Sequence, residues 1–379
     1  MNICIFSGSR SEYGLLKILI KLLSKDKYFK TDLIVSGSHL SKKYGFSIKE
    51  ILQDKISIKK KIFLNLKSSS TWSVCNNFSI LNFKANNFFK NNKYNCLILL
   101  GDRYETLSLA IAAYINRIPI VHIHGGEKTE DSLDDNYRHA ISKFSNFHFV
   151  SHQSNKNRLI QLGEDPKSIK IVGGLGASSI SKLKLLTKKE LFTQLKINPT
   201  NKTIVINFYP EISNINKSIK TLKYIFKIIN DIEKINCIFT VPSHDIGNDQ
   251  FQKLILDFTK SNKNYFFFKN LGQLKFLSLL NASSLLIGNS SSGIFEMPSF
   301  GKYSINVGKR QKGRIFSKTV IQCDPKIDDL RKKINIYLNK KIIKKTNKNI
   351  YYKKYTYENI YKFLRNNKLN TDIKKFRDL

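Results

Sequence analysis

The densest group of ionisable side chains lies in the segments His122–Thr129 and Asp134–His139. These segments hold three histidines, several carboxylates, a lysine and an arginine, together with the pair Gly125-Gly126, which lets backbone approach a ligand. Carboxylates and imidazoles can take up or donate a proton, and an arginine can hold an anion through paired hydrogen bonds. So many ionisable groups beside two glycines indicate a reaction site rather than a structural loop.

A metal site is the alternative interpretation of this loop, since His122 and His124 could supply two ligands. Side chains alternate along a strand, so these two point the same way only if the strand continues through both. We therefore rank proton transfer above metal binding. The same loop predicts that Asp134 or Asp135 caps a helix, with Arg138 and His139 on its first turn.

A second polar cluster, Gly101–Glu105, directly follows an apolar strand pattern. Asp102 either points towards a ligand at the end of that strand or takes part in a helix N-cap, with Arg103 at the surface. The residues alone leave both interpretations open.

A third cluster, Gly8–Gly14, follows the first predicted strand. Its small residues allow a tight turn into a helix whose N-terminus attracts anions, and Arg10 adds a bidentate donor. The alternative is an ordinary strand-to-helix turn capped by Ser11.

The fourth cluster, Gly288–Glu296, combines serine hydroxyls, glycines and a predicted helix start. This combination favours a diphosphate cradle over a serine-rich helix cap. Glu296, one turn further on, could accept hydrogen bonds from ribose hydroxyls. The basic loop Gly308–Arg314 is predicted to lie near the same strand ends.

The elements that position these clusters alternate between short apolar strands and amphipathic helices, which predicts an α/β protein with parallel sheets. Open parallel sheets bind ligands at the carboxyl ends of their strands. The predicted strands are Asn2–Phe6, Asp32–Val35, Lys61–Leu64, Cys96–Leu100, Ile118–His122, Phe147–Val150, Ile169–Val172, Thr203–Asn207, Cys237–Val241, Tyr265–Phe268, Leu285–Ile287 and Tyr303–Asn306.

Two doubly wound, Rossmann-like domains facing a cleft are expected. The N-terminal domain, residues 1–175, would carry the carboxylates, and the C-terminal domain, residues 176–352, would bind a nucleotide. Residues 353–379 are predicted to pack back on the N-terminal domain through a helix at Tyr355–Arg365.

Composition narrows the class of protein. The net charge is +37, but the positive residues are spread along the 379 residues and are not interleaved with aromatic residues in one motif. This pattern argues against a nucleic-acid or membrane-surface binder. The five cysteines are odd in number and form no C-x-x-C pair. Together with a strand that begins at Asn2 instead of a signal peptide, this usage predicts a cytoplasmic protein.

The polar clusters, in this order, resemble the hydrolysing UDP-N-acetylglucosamine 2-epimerases, most closely those of bacterial sialic-acid pathways. Each motif is weak alone, but six in order are specific. They are G-S-R-S-E-Y-G at Gly8–Gly14, G-D-R-Y-E at Gly101–Glu105, H-I-H-G-G-E-K-T at His122–Thr129, D-D-N-Y-R-H at Asp134–His139, G-N-S-S-S-G at Gly288–Gly293 and G-K-R-Q-K-G-R at Gly308–Arg314.

The resemblance implies a GT-B-like fold and conversion of UDP-GlcNAc and water into N-acetylmannosamine and UDP. UDP is eliminated to give 2-acetamidoglucal, which is then hydrated. It further implies no metal or redox cofactor, a UDP-sugar as substrate, and a homo-oligomer, either a dimer or a tetramer.

The resemblance also implies that Asp102 and Asp134 are essential carboxylates. His124 stands where distant relatives have Glu, and Glu127 is then the nearest carboxylate, so base and acid stay unassigned among these four. Arg138 completes the catalytic set. The implied nucleotide- and sugar-binding residues are Arg10, Arg103, His139, Tyr209, His244, Asn289, Ser290, Ser291, Ser292, Gly293, Glu296 and Arg310.

One position departs from the family pattern. Tyr209 precedes Pro210 where the family usually has His, and a phenol carries no charge near neutral pH. His244 is a candidate substitute for that imidazole.

Two related activities remain as alternatives. The first is a hydrolysing 2-epimerase of a UDP- or GDP-linked 2,4-diacetamido-2,4,6-trideoxyhexose, as in legionaminic-type pathways. The second is a retaining GT-B glycosyltransferase, against which the carboxylate-rich loop Glu127–Asp135 argues.

Overall fold

The computed structural model describes residues 1–68, 70–130, 132–211, 214–240, 248–340, 349–369, 374–375 and 377–378. The chain forms two compact units. Unit 1 comprises residues 1–128, 133–179 and 351–379, and unit 2 comprises residues 129–132 and 180–350.

Unit 1 is built on a parallel sheet of seven strands in the order β3-β2-β1-β4-β5-β6-β7. The strands are β1 (Asn2–Ser7), β2 (Lys30–Val35), β3 (Ile58–Lys61), β4 (Cys96–Leu100), β5 (Ile120–Ile123), β6 (Phe147–Val150) and β7 (Ile169–Ile171). The helices are α1 (Arg10–Ser24), α2 (Ile48–Gln53), α3 (Thr71–Lys90), α4 (Tyr104–Ile115), α5 (Leu133–Phe144), α6 (Gln153–Gln161) and α7 (Leu175–Ser179).

Unit 2 repeats this plan with a parallel sheet of six strands in the order β10-β9-β8-β11-β12-β13. The strands are β8 (Lys202–Asn207), β9 (Ile235–Thr240), β10 (Tyr265–Phe268), β11 (Leu285–Gly288), β12 (Ser304–Val307) and β13 (Val320–Cys323). The helices are α8 (Lys188–Leu195), α9 (Ile215–Asn230), α10 (Asn248–Thr259), α11 (Gly272–Ala282), α12 (Ser292–Phe295) and α13 (Ile327–Leu338). The predicted α/β class with two doubly wound parallel sheets is therefore confirmed.

Burial explains why the central strands could be found from sequence. Every residue of β4 is buried, as is every residue of β9. Helices cover both faces of such strands, so they appear as continuous apolar runs rather than alternating ones. Each sheet accordingly has a separate apolar cluster on each face.

The strand predicted at Lys61–Leu64 is wrong in position, because β3 ends where that prediction begins. β3 is an edge strand whose three lysines are exposed, so it lacks the apolar run that marked the other strands. Ile62 instead leaves the sheet and packs into the core, while Phe63 is exposed. β13 was not predicted.

The last described helix, α14 (Thr356–Asn366), belongs to unit 1. The Tyr357 hydroxyl oxygen lies 3.1 Å from the backbone oxygens of both Leu15 and Leu175, and Thr356 donates to the oxygen of Val172. Among the described residues, no helix combines the length and apolar character needed to cross a bilayer.

Candidate active site

The order of each sheet singles out one place on its carboxyl edge. In unit 1 the strand order reverses between β1 and β4, and in unit 2 it reverses between β8 and β11. The crevice outside such a reversal is where open parallel sheets bind ligands. The loops that begin at Gly8 and Gly101 follow the first pair of strands, and those at Phe208 and Asn289 follow the second.

An ion pair between Asp102 and Arg138 lies at the end of β4. Nη2 of Arg138 donates to Oδ2 of Asp102. Nη1 of Arg138 donates to the backbone oxygen of Glu127 at 2.8 Å and to Oδ1 of Asp135 at 2.9 Å. Asp102 therefore does not act as a helix cap. Arg103 is the residue at the N-cap of α4, and it makes no side-chain capping bond.

The two groups of this ion pair differ in burial, and nearby carboxylates keep Arg138 charged. The Arg138 side chain is 1% exposed, whereas that of Asp102 is 25% exposed. Burial alone would lower the pKa of Arg138, but Asp102, followed by Glu127 and Asp135, raises it above the ordinary value. Arg138 is thus a fixed cation that orients a partly accessible carboxylate.

Glu127 and His124 form a second acid–imidazole pair in the loop after β5. Nδ1 of His124 lies 3.3 Å from Oε1 of Glu127, and Nε2 of His124 accepts from the backbone N–H of Leu175 at 3.1 Å. Oε1 of Glu127 also accepts from the Ser151 hydroxyl at 3.1 Å. Since Nε2 is already an acceptor, the neutral ring carries its proton on Nδ1, facing the carboxylate.

His122 connects two segments of the candidate site through contacts of its two ring nitrogens. Nε2 of His122 lies 2.7 Å from the backbone oxygen of Gly101, and Nδ1 lies 3.0 Å from the Ser142 hydroxyl. Burial lowers the pKa of His122 to about 3, so the ring is neutral. A carbonyl oxygen can only accept, so Nε2 carries the proton and the hydroxyl of Ser142 donates to Nδ1.

This geometry separates the two histidines of the metal alternative. β5 ends at Ile123, and His124 has a φ of 68°, so the strand does not continue through both residues. Both nitrogens of His122 are used by protein groups. Within the part of the chain that the structure describes, no three His, Cys, Asp or Glu side chains cluster in a way that would hold a metal ion.

The pair Gly125-Gly126 lets the loop after β5 pack closely against neighbouring protein atoms. A Cβ at Gly125 would lie 2.9 Å from both Nδ1 of His122 and Oγ of Ser142. Gly126 has a φ of 71°, and a Cβ there would lie 2.4 Å from the backbone oxygen of Asn155. Both glycines are therefore required by packing in this loop.

The predicted start of α5 is wrong by part of a turn. The helix begins at Leu133, so Asp134 and Asp135 lie within its first turn, and Arg138 and His139 lie beyond that turn. Asp134 is half-buried. Burial raises the pKa of the neighbouring Tyr137, and the charge of Asp134 raises it further. His139 faces Asp135, with Nε2 at 3.5 Å from Oδ2.

The loop after β1 differs in its cap from the predicted one. Ser9, not Ser11, accepts from the backbone N–H of Glu12, so Arg10 is the first residue of α1. Glu12 is buried, accepts from the backbone N–H of Gly8 at 2.7 Å, and has its pKa raised by burial to about 7. Glu12 was not predicted as a site residue, and only its burial in the structure distinguishes it.

Arg103, also in unit 1, does not lie freely at the surface, because its side chain is only 15% exposed. Its Nε donates to Oε2 of the buried Glu105 at 3.2 Å.

In unit 2, the side chain of Asn289 bonds to the backbone of Tyr209. These bonds connect the loops after β8 and β11, where the strand order reverses. Oδ1 of Asn289 accepts from the backbone N–H of Tyr209 at 2.7 Å, and Nδ2 of Asn289 donates to the backbone oxygen of Tyr209 at 2.9 Å. The guanidinium of Arg310 lies 5.0 Å from the centre of the Tyr209 ring, within the range of a cation–π contact. Tyr209 thus holds a cation at the place where an imidazole was expected.

The basic loop after β12 is hydrogen-bonded to the loops after β8 and β11. Oε1 of Glu211 accepts from the backbone N–H groups of Lys309 and Arg310, at 3.0 and 3.2 Å. The backbone oxygen of Asn289 accepts from Nη1 of Arg310 at 3.2 Å and from Nε2 of Gln311 at 2.8 Å. Glu211 and Gln311 were not predicted as site residues, because their role depends on contacts between distant loops.

The serine loop leads into a very short helix. α12 contains four residues, and Ser291 at its N-cap makes no side-chain capping bond. Its macrodipole is correspondingly small, so any anion held here depends on hydroxyl and N–H groups and on Arg310. The Ser290 hydroxyl accepts from the backbone N–H of Ser292 at 3.3 Å. Gly293 is the next residue after Ser292.

Glu296, at the end of this loop, has a carboxyl group with a raised pKa. Burial raises its pKa to about 7, against the opposing effects of Ser292 and Arg314. Its Oε2 atom is buried and has no hydrogen-bond partner among the described residues. His244 lies outside the described residues.

Comparison with known proteins places this site in context. A family model described as UDP-N-acetylglucosamine 2-epimerase matches residues 21–365. GDP/UDP-N,N'-diacetylbacillosamine 2-epimerase (hydrolyzing) of Campylobacter jejuni is 36% identical over 330 residues, which cover 87% of this chain and 85% of that protein. Polysialic acid biosynthesis protein P7 of Escherichia coli is 34% identical and covers 100% of this chain and 97% of its own length.

Solved structures share the fold at lower identity. The crystal structure of UDP-GlcNAc 2-epimerase from Neisseria meningitidis bound to UDP-GlcNAc superposes with a TM-score of 0.81. That match covers 97% of this chain and 100% of the other, at 19% identity, and it supports the fold alone.

Proposed function

The chain belongs to the UDP-N-acetylglucosamine 2-epimerase family of enzymes, and from this premise we propose that it is the hydrolysing form, which converts UDP-GlcNAc and water into N-acetylmannosamine and UDP. The observation that carries the proposal is the Asp102–Arg138 ion pair at the end of β4, beside the sheet's switch point. It supplies an oriented, partly accessible carboxylate where a sugar ring would lie.

In the proposed reaction, a base removes the proton from carbon 2 while the bond from carbon 1 to the diphosphate oxygen breaks. UDP leaves, and 2-acetamidoglucal remains. Water then adds its hydroxyl to carbon 1 and a proton to the opposite face of carbon 2, which inverts that centre. The proton on carbon 2 is only weakly acidic, so accurate placement of the base matters more than its strength.

The geometry narrows the roles of the four candidate acids and bases. Nε2 of His124 already accepts from a backbone N–H, and Glu127 is 4% exposed and bonded to Ser151. We therefore assign proton transfer to Asp102 and Asp134, which are more accessible. His124 and Glu127 hold the loop in place.

The groups of unit 2 fit the leaving nucleotide. Arg310, held by Tyr209 and Asn289, supplies positive charge for the departing diphosphate. Ser290, Ser291 and Ser292 supply hydroxyls, and the unpartnered oxygen of Glu296 can accept from ribose. Arg10, Arg103 and His139 of unit 1 are proposed to bind the sugar.

Proton NMR of the enzyme with UDP-GlcNAc in deuterated water tests the reaction directly. We expect free N-acetylmannosamine carrying deuterium at carbon 2, together with UDP. Release of N-acetylglucosamine without deuterium, or no turnover with any nucleotide sugar, would contradict the proposal.

A second substrate is favoured by comparisons with similar proteins. The Campylobacter jejuni relative is named for a GDP- or UDP-linked diacetylbacillosamine, a 2,4-diacetamido sugar. Parallel assays of nucleoside diphosphate release from UDP-GlcNAc, UDP-diacetylbacillosamine and GDP-diacetylbacillosamine decide between them. We expect the highest kcat/KM with UDP-GlcNAc, and a higher value with either diacetamido sugar would transfer the assignment to the second substrate. The retaining glycosyltransferase is not kept, because the chain belongs to the epimerase family.

A further inference from the structure

A lysine from the C-terminal tail contacts the end of the helix that carries Asp134 and Arg138. Nζ of Lys374 donates to the backbone oxygens of Ser142 and Ser145, at 3.1 and 2.7 Å. Ser142 lies in the last turn of α5, and Ser145 follows its last residue. Carbonyl oxygens at a helix C-terminus lack partners within the helix, so a cation there supplies both hydrogen bonds and a favourable charge.

The same ammonium group neutralises a buried carboxylate. Nζ of Lys374 lies 2.5 Å from Oε2 of Glu164, whose side chain is 1% exposed. Oε2 of Glu164 also lies 3.0 Å from Nε2 of the fully buried His148. Burial alone would raise the pKa of Glu164, but His148 and then Lys374 bring it below the ordinary value, so the carboxylate is charged. Lys143 is a weaker partner, at 3.4 Å and 39% exposed.

Ser142 connects this charged cluster to the candidate active site. Its backbone oxygen accepts from Lys374, and its hydroxyl donates to His122. The opposite nitrogen of His122 donates to the backbone oxygen of Gly101, the residue before Asp102. In addition, His122 and His148 are directly paired neighbours on β5 and β6.

We propose that Lys374 is a positioning residue for the reaction, which fixes α5 and, through Ser142 and His122, the Asp102–Arg138 ion pair. Lys374 therefore supports the catalytic residues of unit 1, although it contacts no substrate. This inference rests on the proposed function for its activity readout.

Substitution of Lys374 by Met tests the role, because Met keeps most of the unbranched apolar side chain and removes the charge and the donors. We expect kcat to fall by roughly tenfold or more, as small displacements of reacting groups are costly. UDP affinity, measured by calorimetry, should stay within about twofold, because the groups assigned to the nucleotide lie in unit 2. Lys374→Arg, which keeps the charge and N–H donors, should retain more of kcat than Lys374→Met does.

Two control variants separate positioning from loss of the tail contact. Lys375→Met makes the same chemical change at the adjacent, exposed lysine. Arg377→Met removes another contact of the C-terminal residues, the 3.3 Å ion pair with Asp165, a residue outside α5. Both should keep wild-type kcat. Wild-type kcat in Lys374→Met, or an equal loss in Arg377→Met, would overturn the inference.

A second variant covers the case in which Lys374→Met fails to fold. The double change Lys374→Met with Glu164→Gln removes both charges, which is less damaging than leaving one charge buried alone. We expect this variant to melt cooperatively and still turn over slowly, and native kcat in it would refute the role. A wild-type enzyme without turnover would instead refute the proposed function, so the two failures are distinguishable.

Discussion

At the scale of single residues, the ion pair with the buried Arg138 sets the orientation of the Asp102 carboxylate. Besides Asp102, Arg138 donates to the backbone oxygen of Glu127 and to Asp135, and these two hydrogen bonds hold it in place if the Asp102 carboxylate moves. The sequence identified both residues through the motifs that carry them. It could not show that they touch, because they come from different strands and helices.

Replacement of Asp102 by Asn should remove proton transfer while keeping shape. We expect kcat to fall by about 10²–10⁴-fold, which is the usual contribution of a positioned acid or base. UDP affinity should be unchanged in calorimetry. Asp231→Asn, an exposed carboxylate in unit 2, is the matched control and should retain full kcat. A variant of Asp102 with near-native kcat would remove it from the catalytic set.

Glu296 gives the second residue-level prediction, through its raised pKa of about 7. A carboxyl group with a raised pKa becomes protonated as the pH falls through 7, and the protonated form loses acceptor capacity for ribose hydroxyls. We expect KM for the nucleotide sugar to rise several-fold between pH 8 and pH 6. Glu296→Gln should raise KM at pH 8 and remove this pH dependence. A KM that varies equally with pH in both proteins would assign the titration to another group.

At the scale of elements, the strands buried on both faces were predictable, whereas two of the four edge strands, β3 and β13, were displaced or missed. β4, β9 and β11 stand out as unbroken apolar runs because helices cover both sides. β3 was displaced, since its lysines face solvent and the nearest apolar run belongs to a packing segment outside the sheet. Helix ends were also imprecise, because caps such as Ser9 depend on local backbone geometry that composition does not reveal.

The loop after β5 offers an element-scale test at Gly125. A methyl group there would collide with both partners of the His122–Ser142 hydrogen bond. We expect Gly125→Ala to lower stability by about 1–3 kcal/mol, as overpacking usually does, and to lower kcat without changing UDP affinity. Thermal melts and single-turnover kinetics measure the two effects.

Ser142→Ala serves as the partner in a double-mutant cycle with Gly125→Ala. Both changes act on one contact, so their effects on kcat should be less than additive. Strict additivity would show that the glycine acts independently of the hydrogen bond.

At the scale of the whole molecule, a charge of +37 makes self-association costly except through a surface without lysines. Such a surface exists on α3. The segment 71–83 contains no charged residue, and Trp72, Cys75, Ser79 and Phe83 form an exposed stripe at helical spacing. Ile115, at the end of the adjoining α4, is 65% exposed. We expect an uncharged, partly aromatic stripe in so basic a protein to be covered by a partner rather than solvated.

We therefore expect a second copy of the chain to bind this stripe, because each copy would meet an equally uncharged surface and avoid lysine-to-lysine repulsion. Phe83→Lys should convert a dimer into a monomer, as measured by light scattering during gel filtration. Phe63→Lys is the matched control, since Phe63 is 60% exposed against 67% for Phe83 but lies beside Lys60 and Lys61. A wild-type protein that stays monomeric at high concentration and high salt, where repulsion is screened, would refute this assignment.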